Sequence, residues 1–136
     1  TAGKNDILTQ YFKGATYTAA WYVGLVDGAT TPTYNVADTM ASHAGWTENT
    51  NYSGNRKAAT FGTATTADPS VISNSASAAV FTMTSNAQTI AGAFLCSVSS
   101  GTSGVLFSAG DFTGGDKLVD SGDTLTVTYT FSLDAA

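Results

Sequence analysis

Charge is scarce in this chain. Of 136 residues, 11% are Asp, Glu, Lys or Arg, less than half the fraction of about 25% usual in soluble domains. Five cations against ten anions give a net charge of −5, and the only adjacent cations are Arg56 and Lys57. Phosphate backbones and anionic membrane surfaces attract Lys/Arg clusters, so neither nucleic acid nor membrane is an expected partner. A single cysteine, Cys96, excludes an intramolecular disulfide and any Cys-cluster zinc site. It lies in an apolar run, which predicts a buried, inert thiol and fits maturation in a reducing cytoplasm. No run approaches the ~20 apolar residues that span a bilayer, and no basic segment followed by an apolar one opens the chain. The first residue is Thr1 rather than Met, which reads as removal of an initiator or trimming of the chain.

Core-forming residues are plentiful: 43% are hydrophobic, with 7 Phe, 6 Tyr and 2 Trp. That suffices for one domain over 1–136 with a core of its own. Residues 1–14 read as a short helical arm. Ile7 and Tyr11, and Leu8 and Phe12, stand four apart and form one apolar stripe. Asn5 or Asp6 would cap its start and Gly14 would end it. The expected role is an arm that lays this stripe on the body or on a neighbour. Residues 29–55 are the least regular. Asn35 and Asp38 ahead of Met40 would cap one short helix ending at Gly45, and 48–55 reads as a long surface loop.

The rest alternates with a period of two. In 18–26, Trp21, Val23 and Leu25 alternate with Tyr22, Gly24 and Val26, and two apolar sets imply cover on both faces. Further strands are expected over 56–63, with Phe61 inward, and over 78–84, with Phe81 and Met83 opposite Val80 and Thr82. Another covers 88–99, with Ile90, Phe94, Cys96 and Val98 on one face and Gly92 marking a bulge or close backbone approach. A short strand follows over 105–109. The clearest strand is the last: Leu125, Val127, Tyr129, Phe131 and Leu133 point one way and Thr124, Thr126, Thr128, Thr130 and Ser132 the other. Burying all five apolar side chains would contribute on the order of 8–15 kcal/mol before chain entropy. Many short strands with Gly/Ser/Asn/Asp turns imply an all-β antiparallel sandwich or barrel with a short N-terminal helix. With 2 Pro in the chain, strand edges are left to loops, arms or subunit contacts for protection.

Chemistry is thinly represented. His43 is the only His and Glu48 the only Glu. No Gly-x-Ser-x-Gly turn accompanies His43, so a solvent-exposed or structural histidine is the simpler reading than a catalytic base. The aspartates sit mostly at turns, without a positioned acid–base pair. Asp111, Asp116, Asp120 and Asp123 cluster near the last hairpin, but no EF-hand-like loop is present, so solvated turns are expected rather than a bound cation. No catalytic residue, cofactor site or metal site is assigned. Trp21 fits a strand core, with Tyr22 on the opposite face at an interface. Trp46 divides evenly between loop-core packing and an exposed partner anchor.

Several runs occur in a suggestive order: AWYVGL at 20–25, GWTE at 45–48, Tyr52 with Ser53, NSA at 74–76 before Phe81, IAGAFL at 90–95 and SGDTLTVT at 121–128. Together they resemble small structural proteins of tailed-bacteriophage virions, most of all capsid cement (decoration) proteins with a jelly-roll-like β-sandwich. The resemblance implies a non-enzymatic protein on the capsid surface, assembled in the host bacterial cytoplasm. It would bind and stabilise the major capsid protein lattice and self-associate as a homodimer. A phage tail or fibre protein acting as a receptor- or carbohydrate-binding module is the alternative that similar strand–turn patterns imply. On the cement reading, Ile7, Leu8, Tyr11, Phe12, Tyr22 and Trp46 are the expected partner contacts, whereas the tail or fibre reading expects exposed aromatics at loop tips.

Overall fold

The computed structural model describes residues 2–14 and 20–134. It is mostly antiparallel β with one short N-terminal helix. Helix α1 (Ala2–Ile7) continues as a π-helical turn over Leu8–Phe12 and gives way to Gly14 at positive φ, where the missing Cβ removes the strain. Neither Asn5 nor Asp6 caps it. Both lie inside the helix, and the Asp6 carboxylate accepts a hydrogen bond from Gln10 Nε2 at 3.2 Å.

In the largest sheet β6 (Gln88–Cys96) lies between β1 (Tyr22–Asp27) and β7 (Leu106–Asp111). Residues 18 and 19 of the expected first strand lie outside the described residues. β2 (Glu48–Asn49) and β3 (Lys57–Ala58) share one flank of β1, and β8 (Lys117–Val119) pairs with β6 beyond β7. A smaller sheet joins β4 (Ser70–Ser73) to β10 (Thr130–Leu133), and another joins β5 (Ala79–Thr82) to β9 (Thr124–Val127). Sequence reading overlooked β4 and β8, each too short to show alternation.

Two-sided burial of the first strand holds. One core gathers Val23, Leu25, Ile90 and Leu95 from the large sheet with Phe81, Met83 and Val127 from the smaller ones. The other side of the large sheet carries Val26, Phe94, Cys96 and Leu106, covered by Met40 and Trp46 from the irregular segment. Phe94 lies across Gly24, where a Cβ would collide with the ring. Cys96 is buried as expected; burial pushes its thiol pKa up, while the sulfur donates to the Val98 carbonyl at 3.2 Å.

Four expectations are corrected. Ile90 does not share a face with Phe94 and Cys96. Pairing jumps from Val26–Gly92 to Asp27–Ile90, leaving Ala91 as a bulge, and a one-residue shift sends later side chains to the other face. Gly92, next to it, lies against the Gly110 carbonyl, a close approach only glycine allows. The helix expected before Gly45 is replaced by turns, because Asn35 and Asp38 spend their side chains locally: the Asp38 carboxylate accepts from Asn35 N and the Asn35 side chain from Ala37 N. Residues 48–55 form exposed surface loop only at 50 and 53–55. Glu48–Asn49 pairs with β1, Tyr52 bridges to Met83, and Asn49 and Tyr52 are buried.

The last strand keeps its alternation but not its continuity. β9 and β10 are separated at Thr128 and Tyr129 and pair with two different strands. Of its five apolar side chains Val127 is buried, Leu125, Tyr129 and Phe131 are half-buried and Leu133 is exposed, so the burial gain falls below the sequence expectation. The interruption is stitched by Asn74, fully buried beside the β4–β5 turn. Its side-chain oxygen accepts from Tyr129 N at 2.7 Å, its amide donates to Tyr129 O at 3.2 Å, and its Nδ2 reaches Val127 O at 3.5 Å. Asn74→Ala leaves the Tyr129 amide without this partner and should cost about 2–3 kcal/mol of unfolding free energy, read from urea denaturation followed by circular dichroism.

Candidate docking surface

α1 meets the body through its smallest side. Gly3 is buried, and a Cβ there would run into the Phe107 carbonyl of β7. Ile7, one turn further on, shares the side of α1 that carries Gly3, while the residues after it turn outward. Leu8, Tyr11 and Phe12 are 56%, 81% and 74% exposed, and the Tyr11 and Phe12 rings meet edge to face with centroids 5.1 Å apart. Ile7 and Tyr11 overhang a cleft of about 850 Å³ whose walls include Trp21, Tyr22, Phe61, Phe107 and Phe131. In the cleft wall the Ser108 and Tyr129 hydroxyls are hydrogen-bonded to one another. Trp21 and Phe107, and Phe107 and Phe131, are also edge to face, with centroids 5.3 Å and 5.6 Å apart.

Of the residues singled out from sequence, Ile7, Tyr11 and Tyr22 therefore come together at one cleft, with Leu8 and Phe12 beside them on the same helical turn. Tyr22 is half-buried and packs against the core on the Phe94 side. Trp46 is not an exposed anchor: it is 4% exposed and seated between Phe94, with ring centroids 5.2 Å apart, and His43, stacked at 3.9 Å. Its indole N–H donates to Asp38 Oδ2 at 3.0 Å. His43 Nδ1 lies 3.0 Å from the Trp46 carbonyl. Both rings act as cover for the large sheet. Val36 and Leu118 are exposed apolar residues the sequence reading did not single out, and Leu133, expected to point inward, is exposed as well. The signal for Leu118 is its place between Lys117 and the inward Val119.

Asp111, Asp120 and Asp123 accept hydrogen bonds from the protein. Asp120 accepts from Ala87 N at 2.7 Å, Asp123 from Asp120 N at 2.9 Å, and Asp111 from the Tyr34 hydroxyl at 2.7 Å. Among the described residues no three metal-competent side chains converge.

The strongest polar arrangement lies elsewhere. Arg56 is buried and pairs with Glu48 through two bonds, Nε to Oε1 at 2.8 Å and Nη2 to Oε2 at 2.6 Å. Its Nη1 donates to the carbonyls of Val98 and Gly101, and its guanidinium lies 5.2 Å from the Phe94 ring centroid. The hydrogen bond that Arg56 donates to Glu48 leads in holding the arginine pKa above the ordinary value. Tyr52 donates to Glu48 Oε1 at 3.3 Å. Desolvation, with the Glu48 charge second, raises the Tyr52 pKa far above ordinary. This is a structural lock with no acid or nucleophile free to react.

No protein-family model matches the chain, and no curated protein matches it.

Glu48→Gln leaves the buried guanidinium uncompensated and should destabilise the fold by about 3–5 kcal/mol, a loss measurable by chemical denaturation. Alkali should also unfold the protein. Burial leads in raising the tyrosine pKa values of Tyr34, Tyr52 and Tyr129 above the ordinary value of 10.0. The folded state thus resists their ionisation. Stability on their account is complete below pH 10 and is lost as pH rises beyond it, so the thermal midpoint should fall steeply above that point in a pH series.

Proposed function

We propose that this chain is a non-enzymatic cement (decoration) protein of a tailed-bacteriophage capsid, acting on the capsid surface after assembly in the host cytoplasm. Its proposed partners are the major capsid protein lattice and a second copy of itself. In this reading the large sheet and the two smaller ones are the layers of a jelly-roll-like sandwich. The observation that carries the proposal is the apolar stripe of α1, turned to solvent at Leu8, Tyr11 and Phe12 in a chain with little surface charge. Apolar and hydroxyl-bearing surface costs less to strip of water than charged surface, which suits repeated attachment to a shell. A protein that binds only the assembled lattice stabilises it by mass action, and linked copies add avidity.

The aromatic-lined cleft favours a second reading, a receptor- or carbohydrate-binding module of a tail or fibre, since small-ligand sites are concave and largely apolar with a few polar groups. Labelled virions imaged by electron microscopy discriminate between shell and tail.

Replacing Leu8 and Phe12 with Ser should reduce occupancy on purified capsids by about tenfold or more while leaving the β-sheet circular dichroism unchanged. Unchanged occupancy removes the helix from the contact.

A further inference from the structure

The β9–β10 edge is built to pair with itself. Its neighbours set which main-chain groups face outward. Gly62 N donates to Ser73 O, Thr65 N to Val71 O and Ser53 N to Thr82 O, so Val71, Ser73 and Thr82 turn their main chain away from β9 and β10. Across the ladders, Ser132, Thr130 and Thr124 stand opposite these three and turn theirs to the other side. Thr126, opposite Val80, follows by the period of two. Tyr129 faces Asn74 through both its amide and its carbonyl, so alternation places Thr128 outward as well. Among the described residues no backbone hydrogen bond reaches the outward groups of Thr124, Thr126, Thr130 or Ser132, and all four side chains are exposed. No Lys, Pro or other charged residue interrupts 124–133, so the usual protection of a free edge is missing.

We propose that this edge pairs antiparallel with the same edge of a second copy, about a two-fold axis through Thr128. With the axis at Thr128 all five outward positions enter the ladder: Thr124 meets Ser132 and Thr126 meets Thr130. The side chains then match. On the inner face Leu125 opposes Phe131 and Val127 opposes Tyr129, each an aliphatic against an aromatic, adding cover to Leu125, Tyr129 and Phe131, which are half-buried in one copy. On the outer face hydroxyls oppose hydroxyls. Charge also agrees. The paired strip is neutral, Asp123 stands opposite Leu133 and Asp134 opposite Gly122, so no carboxylates face one another although each copy carries −5. A foreign strand would not repeat this mirror order of residue types.

The pairing rests on the self-association part of the cement reading and not on attachment to a shell, so the purified chain tests it without capsids. Thr128 meets its own copy at a Cα separation of about 5.5 Å, within disulfide range, whereas Thr124 lies about 27 Å from its own copy, eight residues away along the strand. Under mild oxidation Thr128→Cys should give a covalent dimer and Thr124→Cys should not; Cys96 is buried and does not compete. In light scattering the unmodified chain should be a dimer, and Thr130→Lys should weaken dimerisation about tenfold or more with unchanged circular dichroism. A monomer at all concentrations, or equal cross-linking at positions 124 and 128, overturns the pairing. A monomer that still binds capsids overturns the pairing and leaves the cement reading standing. A dimer that binds no capsid does the reverse.

Discussion

The only arginine and the only glutamate of this chain meet as a bidentate pair, and the cover over one whole face of the large sheet hangs on that meeting. β1 and β6 are apolar on both sides, so two covers are needed. One is made by strands that bring their own apolar side chains. The other must be made from 29–56, a stretch rich in Asn, Thr, Ser and Gly. It offers Met40, Trp46 and Tyr34 to the core and little else. The guanidinium adds a flat, weakly hydrated surface over Phe94 while tying Glu48 in β2 to the carbonyls of Val98 and Gly101. A buried pair contributes little net stability relative to apolar residues of the same size, but each half is costly without the other. Its effect is to fix where the polar segment lies.

This also explains what could and could not be read from the sequence. Alternation is a local signal, and it marked Val23 and Leu25, Phe81 and Met83, and Val127 as inward, but it does not say where cover ends, and Leu133 at the end of the last run is exposed. It failed where one residue was inserted. Nothing in IAGAFL itself says that Ala91 bulges, and that single step moved Ile90 to the opposite core from Phe94. Polar segments were misread for a different reason. Arg56 finds carbonyl partners 42 and 45 residues away, and Asn74 finds Tyr129 across 55. Long-range satisfaction of this kind has no periodic signature, so 48–55 looked like solvent-exposed loop.

The N-terminal helix shows the same limit at smaller scale. Its i, i+4 stripe is plain in Ile7, Leu8, Tyr11 and Phe12, yet the stripe does not decide which side docks. Gly3 does, because it alone lets the helix come against the Phe107 carbonyl. Leu8, Tyr11 and Phe12 then stay largely exposed. Trp46 is the converse case. It looked equally suited to core or partner, and the demand for cover over Phe94 drew it inward.

Scarcity of charge links these features. With few ionised groups to keep the surface hydrated, the chain leaves exposed an apolar helix stripe and a strand edge of hydroxyls and main-chain groups. Contacts of those kinds do not depend on ion pairing, so added salt has little to take from them. Each copy nevertheless carries −5, and that repulsion acts at longer range, screened beyond about 8 Å at physiological ionic strength. Short-range attraction that is indifferent to salt, set against long-range repulsion that salt removes, would make the proposed self-association firmer as ionic strength rises. A charged interface would behave in the opposite sense, and the composition of this chain places it on the neutral side of that divide.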